Sequence, residues 1–392
     1  MNYEELMNQD VVELKPSGIR KFFDLASTKK DVISLGVGEP DFATPWNICE
    51  AAIYSIKSKK THYTANSGLL PLREEICHYL DRQYDLKYDP KKNVIVTVGG
   101  SEAIDISLRA IISPGDEVIL LQPCYVAYEP AVILAGGVVK YIELTSENEF
   151  KLTKEMLENA ITPKTKAILL NFPSNPTGGI MTYEDYLPLI DIIKEHQLIV
   201  LSDEIYAELS YEDKHCSPAN FKEIKDQVIL ISGFSKAFAM TGWRLGYLCA
   251  NETFVKHILK IHQYVIMSAP SSAQYGAIEG LKNGQKYVDA MVEQYRQRRN
   301  YIVNGFNRIG LPTHMPKGAF YIFPCIKKTG LTSVEFCEKL LEEANVACVP
   351  GSAFGEAGEG FIRVSYAYSI EEIKVALEKI GKFMEQFNEN HE

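Results

Sequence analysis

The stretch Ile231-Ser-Gly-Phe-Ser-Lys-Ala-Phe-Ala-Met-Thr-Gly-Trp-Arg-Leu-Gly246 sets one lysine, Lys236, among small and apolar residues, with Arg244 eight positions on. An ammonium is strongly hydrated, so a lysine flanked by Phe234 and Phe238 either snorkels to water or is held for its chemistry. Apolar neighbours and a nearby cation both favour the free amine, the form that attacks a carbonyl carbon to make a Schiff base. Other polar side chains recur in one setting, just after a short run of aliphatic residues. Gly99-Gly100-Ser101 follows Val94–Val98, Tyr125 follows Val118–Leu121, and Asn171 to Asn175 follows Ala167–Leu170. Asp203 and Tyr206 follow Leu198–Leu201, and Ser235-Lys236 follows Val228–Ile231. Singly, each is an ordinary turn residue or helix cap. Together they describe a site.

The aliphatic runs are the strands that must position these residues. Between them lie helical stretches: Ile104, Leu108, Ile111 and Ile112 fall on one face after Ser101, Asp105 and Arg109 make an i,i+4 pair, and Thr182-x-x-Asp185 has the form of a capping box. Continuous apolar strands alternating with helices predict a largely parallel sheet covered on both sides, and such a sheet binds ligands at the carboxyl ends of its strands. A Gly-Gly-Ser turn opening a helix offers unpaired N–H groups and the positive end of the helix dipole to a phosphate, and Arg244 supplies a bidentate cationic partner. Asp203, at the end of a buried strand, is costly unless it meets a cation, and a protonated pyridine nitrogen is such a cation. Lysine, acid and phosphate cradle together point to pyridoxal phosphate.

The remaining composition sets limits. At 392 residues the chain is comfortable for two domains, and its formal charge of -10 argues against a nucleic-acid partner. The acidic, polar start Met-Asn-Tyr-Glu-Glu lacks the form of a secretory signal, which predicts a cytoplasmic protein. The longest apolar run, Ala131 to Val139, is too short to span a membrane and reads as a buried strand or packed turn. Cysteines 49, 77, 124, 216, 249, 325, 337 and 348 are scattered without metal-ligand spacing, so no metal site is expected. Beyond about residue 285 a charged helix near Glu293 to Asn307, a strand at Phe361–Tyr366, and capping boxes at Thr332/Glu335 and Ser369/Glu372 predict a separate α+β module. The expected division is 1–44 as an irregular arm with part of the small domain, 45–285 as the large domain, and 286–392 as the small domain. His62, His78 and His196 read as surface or helix-end residues.

From Gly36-Val-Gly-Glu-Pro-Asp-Phe42 to the end of the C-terminal module, the sequence resembles the class I/II aminotransferases of the aspartate aminotransferase superfamily, with pyridoxal-phosphate fold type I. The motif around Lys236, Asn175-Pro-Thr-Gly178 and Ser202-Asp-Glu-Ile-Tyr206, in that family's order, carry the likeness. The resemblance implies that Lys236 holds pyridoxal 5'-phosphate and shuttles a proton, that Asp203 keeps the pyridine nitrogen protonated, and that Asn175 and Tyr206 bind the ring hydroxyl. Tyr125 would stack on the ring. Gly100, Ser101, Glu102 by its backbone, Ser235 and Arg244 would hold the phosphate. Arg363, helped by the Gly38 backbone, would clamp the substrate carboxylate. Tyr63 would reach the phosphate of the neighbouring subunit, making a homodimer. The implied reaction is ping-pong transfer from an L-amino acid to a 2-oxo acid such as 2-oxoglutarate; a C–S β-lyase on the same scaffold and a non-catalytic cofactor-binding regulator are the alternatives. Side-chain discrimination is expected of the arm near Ser17 to Ile19, of residues around Tyr63 and of inter-subunit loops. Two departures stand out: Gly233 occupies a position where the family often has a phosphate-binding serine, and no second arginine is placed to read a side-chain carboxylate.

Overall fold

The computed structural model describes residues 1–16, 18 and 31–387. Its strands, in chain order, are β1 (Ile33–Ser34), β2 (Val94–Thr97), β3 (Glu117–Gln122), β4 (Val138–Glu143), β5 (Thr165–Asn171), β6 (Ile199–Asp203), β7 (Val228–Gly233), β8 (Gly246–Cys249), β9 (Tyr321–Ile322), β10 (Val346–Ala347), β11 (Val349–Pro350) and β12 (Ile362–Ser365). Seven of them form the large sheet in the order β2-β8-β7-β6-β5-β3-β4. All its neighbours pair in parallel except β8, which runs against both β2 and β7. β2, β3 and β7 are buried along their whole length, as expected of strands covered on both faces.

This topology gathers the polar residues. The carboxyl ends of β2, β3, β5, β6 and β7 lie along one edge of the sheet, and the residues that follow them are those singled out by sequence. Because β8 is reversed, its amino end lies on that same edge, and Arg244 sits two residues before it. An antiparallel strand therefore delivers to the site a residue that precedes it.

Helices cover the sheet with the predicted patterning. The helix Gly99–Ile111 buries Ala103, Ile104, Ile106, Leu108 and Ile111, and Asp105 pairs with Arg109 at 2.9 Å. The three expected capping boxes form at Thr182/Asp185, Thr332/Glu335 and Ser369/Glu372. One reading needs correction. Ala131–Val139 is neither a buried strand nor a single turn: the helix Tyr128–Leu134 ends, Gly136 turns with φ 85°, and β4 begins at Val138, which is 47% exposed. A short apolar run carries no periodicity that separates these outcomes. Ahead of the large sheet, β1 pairs in parallel with β10 and Leu35 is fully buried, which joins this segment to the C-terminal part of the chain.

The small antiparallel sheet β11-β12-β9 and the helices Gln285–Arg308, Ser333–Ala344 and Ile370–Glu385 close around a second apolar core, which also takes in Leu35 and the Tyr206–Tyr211 segment. Within the long helix Val288 packs into the large core and Met291 into the second. No helix among the described residues is long and apolar enough to cross a membrane.

Candidate active site

A cleft of about 920 Å³ opens at the carboxyl edge of the large sheet. Gly38, Gly100, Ser101, Tyr125, Asn175, Asp203, Tyr206, Ser235, Lys236, Arg244 and Arg363 line it, joined among others by Val37 and Glu39 from the segment after β1 and by Tyr321 from β9.

Lys236 lies just past β7, and its Nζ donates to the Gly38 carbonyl at 2.5 Å. Burial lowers its pKa to about 8; Arg363 and Arg244 push the same way, against Glu39 and Asp203. About a tenth of the amine is then free at pH 7, far more than an ordinary lysine offers. Asp203 is raised to about 6, chiefly by burial and against the hydrogen bonds it accepts. Tyr128 Oη donates to its Oδ2 at 2.6 Å, the Ile205 N–H to its Oδ1 at 3.2 Å. Asn171 ties the Asp203 carbonyl through Nδ2 at 3.0 Å and accepts the Asn175 N–H at 3.0 Å, which couples the ends of β5 and β6.

Arg363, 3% exposed on β12, donates to the side-chain oxygen of Asn175 at 2.9 Å and to the Gly36 carbonyl at 2.5 Å. Its Nε has no partner, and its guanidinium lies 4.5 Å from the Tyr321 ring centre and 4.9 Å from that of Phe354. Both hydrogen-bonded oxygens are neutral, so a buried cation is left with unspent charge. Burial is expensive for such a group unless an anion meets it. Tyr206 and Tyr321 share a hydrogen bond of 2.8 Å between their hydroxyls, and burial holds the Tyr206 phenol well above its usual pKa, so it keeps its proton.

The phosphate-like cradle depends on close backbone approach. Gly99 has φ 75°, and a Cβ there would sit 2.8 Å from Arg244 Nη2. A Cβ on Gly246 would lie 2.6 Å from the Gly99 carbonyl carbon and 2.8 Å from the Gly100 nitrogen. β8 therefore presses its bare backbone against the cradle, while Arg244 Nη1 is steadied by the Thr241 carbonyl at 2.9 Å.

The model of the family "Aminotransferase class I and II" matches residues 30–380. The chain belongs to the class I and II aminotransferases. A putative aminotransferase of Bacillus subtilis is 53% identical over 374 residues, covering 95% of this chain and 97% of the relative. An aspartate aminotransferase of Pyrococcus abyssi is 45% identical over 95% of this chain and 97% of its own. Among solved structures, an aromatic aminotransferase from Pyrococcus horikoshii superposes with TM-score 0.89 at 42% identity over 94% of this chain and 99% of that one. The aspartate aminotransferase of Thermus thermophilus with maleate gives 0.91 at 37% identity, over 96% and 99%. The protein is an aminotransferase, transferring an amino group from an amino acid to a 2-oxo acid.

Within this aminotransferase the cleft collects all but two of the residues expected at the site. Glu102 does not line it; its side chain turns back toward the helix. Tyr63 is 82% exposed and outside the cleft of its own chain. Gly233 is tightly enclosed: a Cβ there would lie 3.0 Å from Gly246 Cα and from the Leu245 carbonyl, so a side chain needs the neighbouring backbone to give by a few tenths of an ångström. Ser235 is the nearby hydroxyl that lines the cleft. Sequence reasoning passed over Tyr128 and Tyr321, and gave Asn171 a place at its strand end but no role of its own; Tyr128, three residues after Tyr125, was the one with a local signal. Of the arm expected to discriminate side chains, Ser17 and Ile19 lie outside the described residues.

Proposed function

We propose that the amino carrier is pyridoxal 5'-phosphate held on Lys236. The observation that carries this reading is the convergence of three costly groups on one cleft: an amine with lowered pKa, a carboxyl raised by burial, and the Arg363 cation that meets only neutral oxygens. Each lacks a counterpart that the cofactor or the substrate supplies. Asp203 suits a pyridinium nitrogen. The cradle of Gly100, Ser101, Ser235 and Arg244 suits a phosphate, with Tyr63 of a second subunit reaching it in a homodimer. Asn175 spends its oxygen on Arg363 and retains its NH2, which with the Tyr206 hydroxyl suits the ring oxygen. Tyr125 covers the ring face.

When bound, the cofactor supplies an electron sink for the pair left on the substrate α-carbon. The chain does the rest. Arg363 grips the α-carboxylate and so orients the Cα–H bond; Nζ of Lys236, as free amine, takes that proton and returns one on the other side of the transfer. The Gly38 carbonyl, which now holds Nζ, marks where the amine rests. We take 2-oxoglutarate as the acceptor, the cytoplasm as the location, and 45–285 and 286–392, with the arm 1–44, as the domains.

The test is a donor panel read by absorbance, each amino acid offered to the loaded enzyme and then followed by 2-oxoglutarate. The reading predicts that at least one amino acid converts the cofactor to its amine form and that 2-oxoglutarate restores it. Release of pyruvate and ammonia from a cystathionine-type substrate, with no acceptor present, would replace transfer with elimination.

A further inference from the structure

His262, on the helix Glu252–Val265, is fully buried, and its Nδ1–H donates to Glu102 Oε1 at 2.6 Å. The other carboxylate oxygen, Oε2, accepts the Val98 N–H at 2.5 Å. Glu102 is 9% exposed, and His262 Nε2 has no partner. Only the backbone of Glu102 has a role above; its side chain and His262 have none. The pair sits at the junction where β2 passes into the cradle.

The start of an α-helix leaves four N–H groups without intrahelical partners. Here the first, on Val98, is taken by Glu102, so the N–H groups of the glycine turn and Ser101 are the ones left to face an anion. A carboxylate so near a phosphate would repel it unless aimed elsewhere. His262 aims it: its Nδ1–H draws Oε1 toward the flanking helix, away from the cleft. The Thr97 hydroxyl fixes the other side of the turn by donating to the Gly99 carbonyl at 2.9 Å.

We propose that Glu102 and His262 are positioning residues for the phosphate cradle, the His262-anchored carboxylate of Glu102 holding Val98 so that the Gly99–Ser101 backbone is set for the cofactor's phosphate. This rests on the reading of that turn as the phosphate site. The pair touches no reacting atom, so its effect is read in phosphate recognition.

The experiment compares the affinity of the full-length, cofactor-depleted protein for pyridoxal 5'-phosphate with its affinity for pyridoxal, which lacks the phosphate. Glu102→Ala is expected to weaken binding of the phosphate ester by about ten-fold or more while leaving pyridoxal within about two-fold. Glu102→Gln, which can still accept from Val98 and donate to Nδ1, is expected to stay within about three-fold of the parent for both. His262→Phe, which keeps the volume and loses the donor, is expected to fall between them, and serves in place of Glu102→Ala should that variant not fold. Equal losses for both compounds, or a lowered melting temperature with an unchanged ratio, would reduce the pair to helix packing and overturn the proposal. Arg244→Ala is the control. If it too leaves the ratio unchanged, the cradle reading itself fails; if it alone changes the ratio, only the positioning role does.

Discussion

Replacing Asp203 by asparagine exposes what this site costs the fold. Burial raises the Asp203 pKa from 3.8 to about 6, and the residue is 6% exposed. A carboxyl whose folded-state pKa lies above its unfolded value binds protons more tightly when folded, so stability falls as pH rises between the two values and stays lowered above the higher one. A displacement of this size corresponds to about 3 kcal/mol once the pH is well above 6. Roughly half of that has accrued by pH 5, so between about pH 5 and 7.5 the further loss is about 1.4 kcal/mol. The substituted amide does not titrate. The cofactor-free Asp203→Asn variant should therefore gain on the cofactor-free parent by about 1.4 kcal/mol over that interval, whatever its stability at the lower pH. Urea midpoints of both proteins at the two pH values, at one fixed protein concentration, measure the difference while other titrating groups cancel. A gap that stays constant, or that narrows as pH rises, would refute the claim that Asp203 is an unpaired buried acid. The same substitution should remove nearly all transferase activity, separating a stabilised fold from a disabled site.

Arg363→Lys keeps the charge but loses the planar fork, and should lower kcat/KM by about 10- to 100-fold, mostly through KM; an unchanged KM would detach Arg363 from the substrate carboxylate. Gly246→Ala places a methyl 2.6 Å from the Gly99 carbonyl carbon, so the cradle must shift. Binding of pyridoxal 5'-phosphate should weaken together with a destabilisation of about 1–3 kcal/mol, and normal affinity would show that the cradle has slack. Tyr63, exposed on its own chain, is proposed to reach the site of a partner subunit. Mixing Tyr63→Ala and Lys236→Ala subunits, each nearly inactive alone, should restore about a quarter of parental activity in a symmetric dimer, whereas no restoration would place Tyr63 in its own chain's site or in neither.

Much of this site was legible because buried parallel strands read as unbroken aliphatic runs, and the residue after each run falls on one edge of the sheet. The lysine, Asp203 and the glycine turn were found that way, and Arg244 by its place in the motif around Lys236. What the sequence concealed were partners fixed only by folding. Tyr128 meets Asp203 across 75 positions, His262 meets Glu102 across 160, and Tyr321 meets Tyr206 across 115. No local pattern marks such pairs. His262 shows the difference most clearly, since the histidines considered from sequence are exposed while this one is enclosed beside the cradle. Gly233 was noticed as an anomaly, but its tight packing against the backbone at Leu245 and Gly246 appears only in the fold. The run Ala131–Val139 was misread because nine apolar residues can end a helix and begin an edge strand as easily as fill a core.

The central claim is that Nζ of Lys236 bonds covalently to the cofactor. Loading the enzyme with pyridoxal 5'-phosphate, reducing with borohydride and mapping the peptides by mass spectrometry tests it most directly. The account predicts one stoichiometric pyridoxyl adduct per chain, on the peptide carrying Ser235-Lys236-Ala237, and none in Lys236→Ala. An adduct on another lysine, or full transamination by the Lys236→Ala protein, would contradict it.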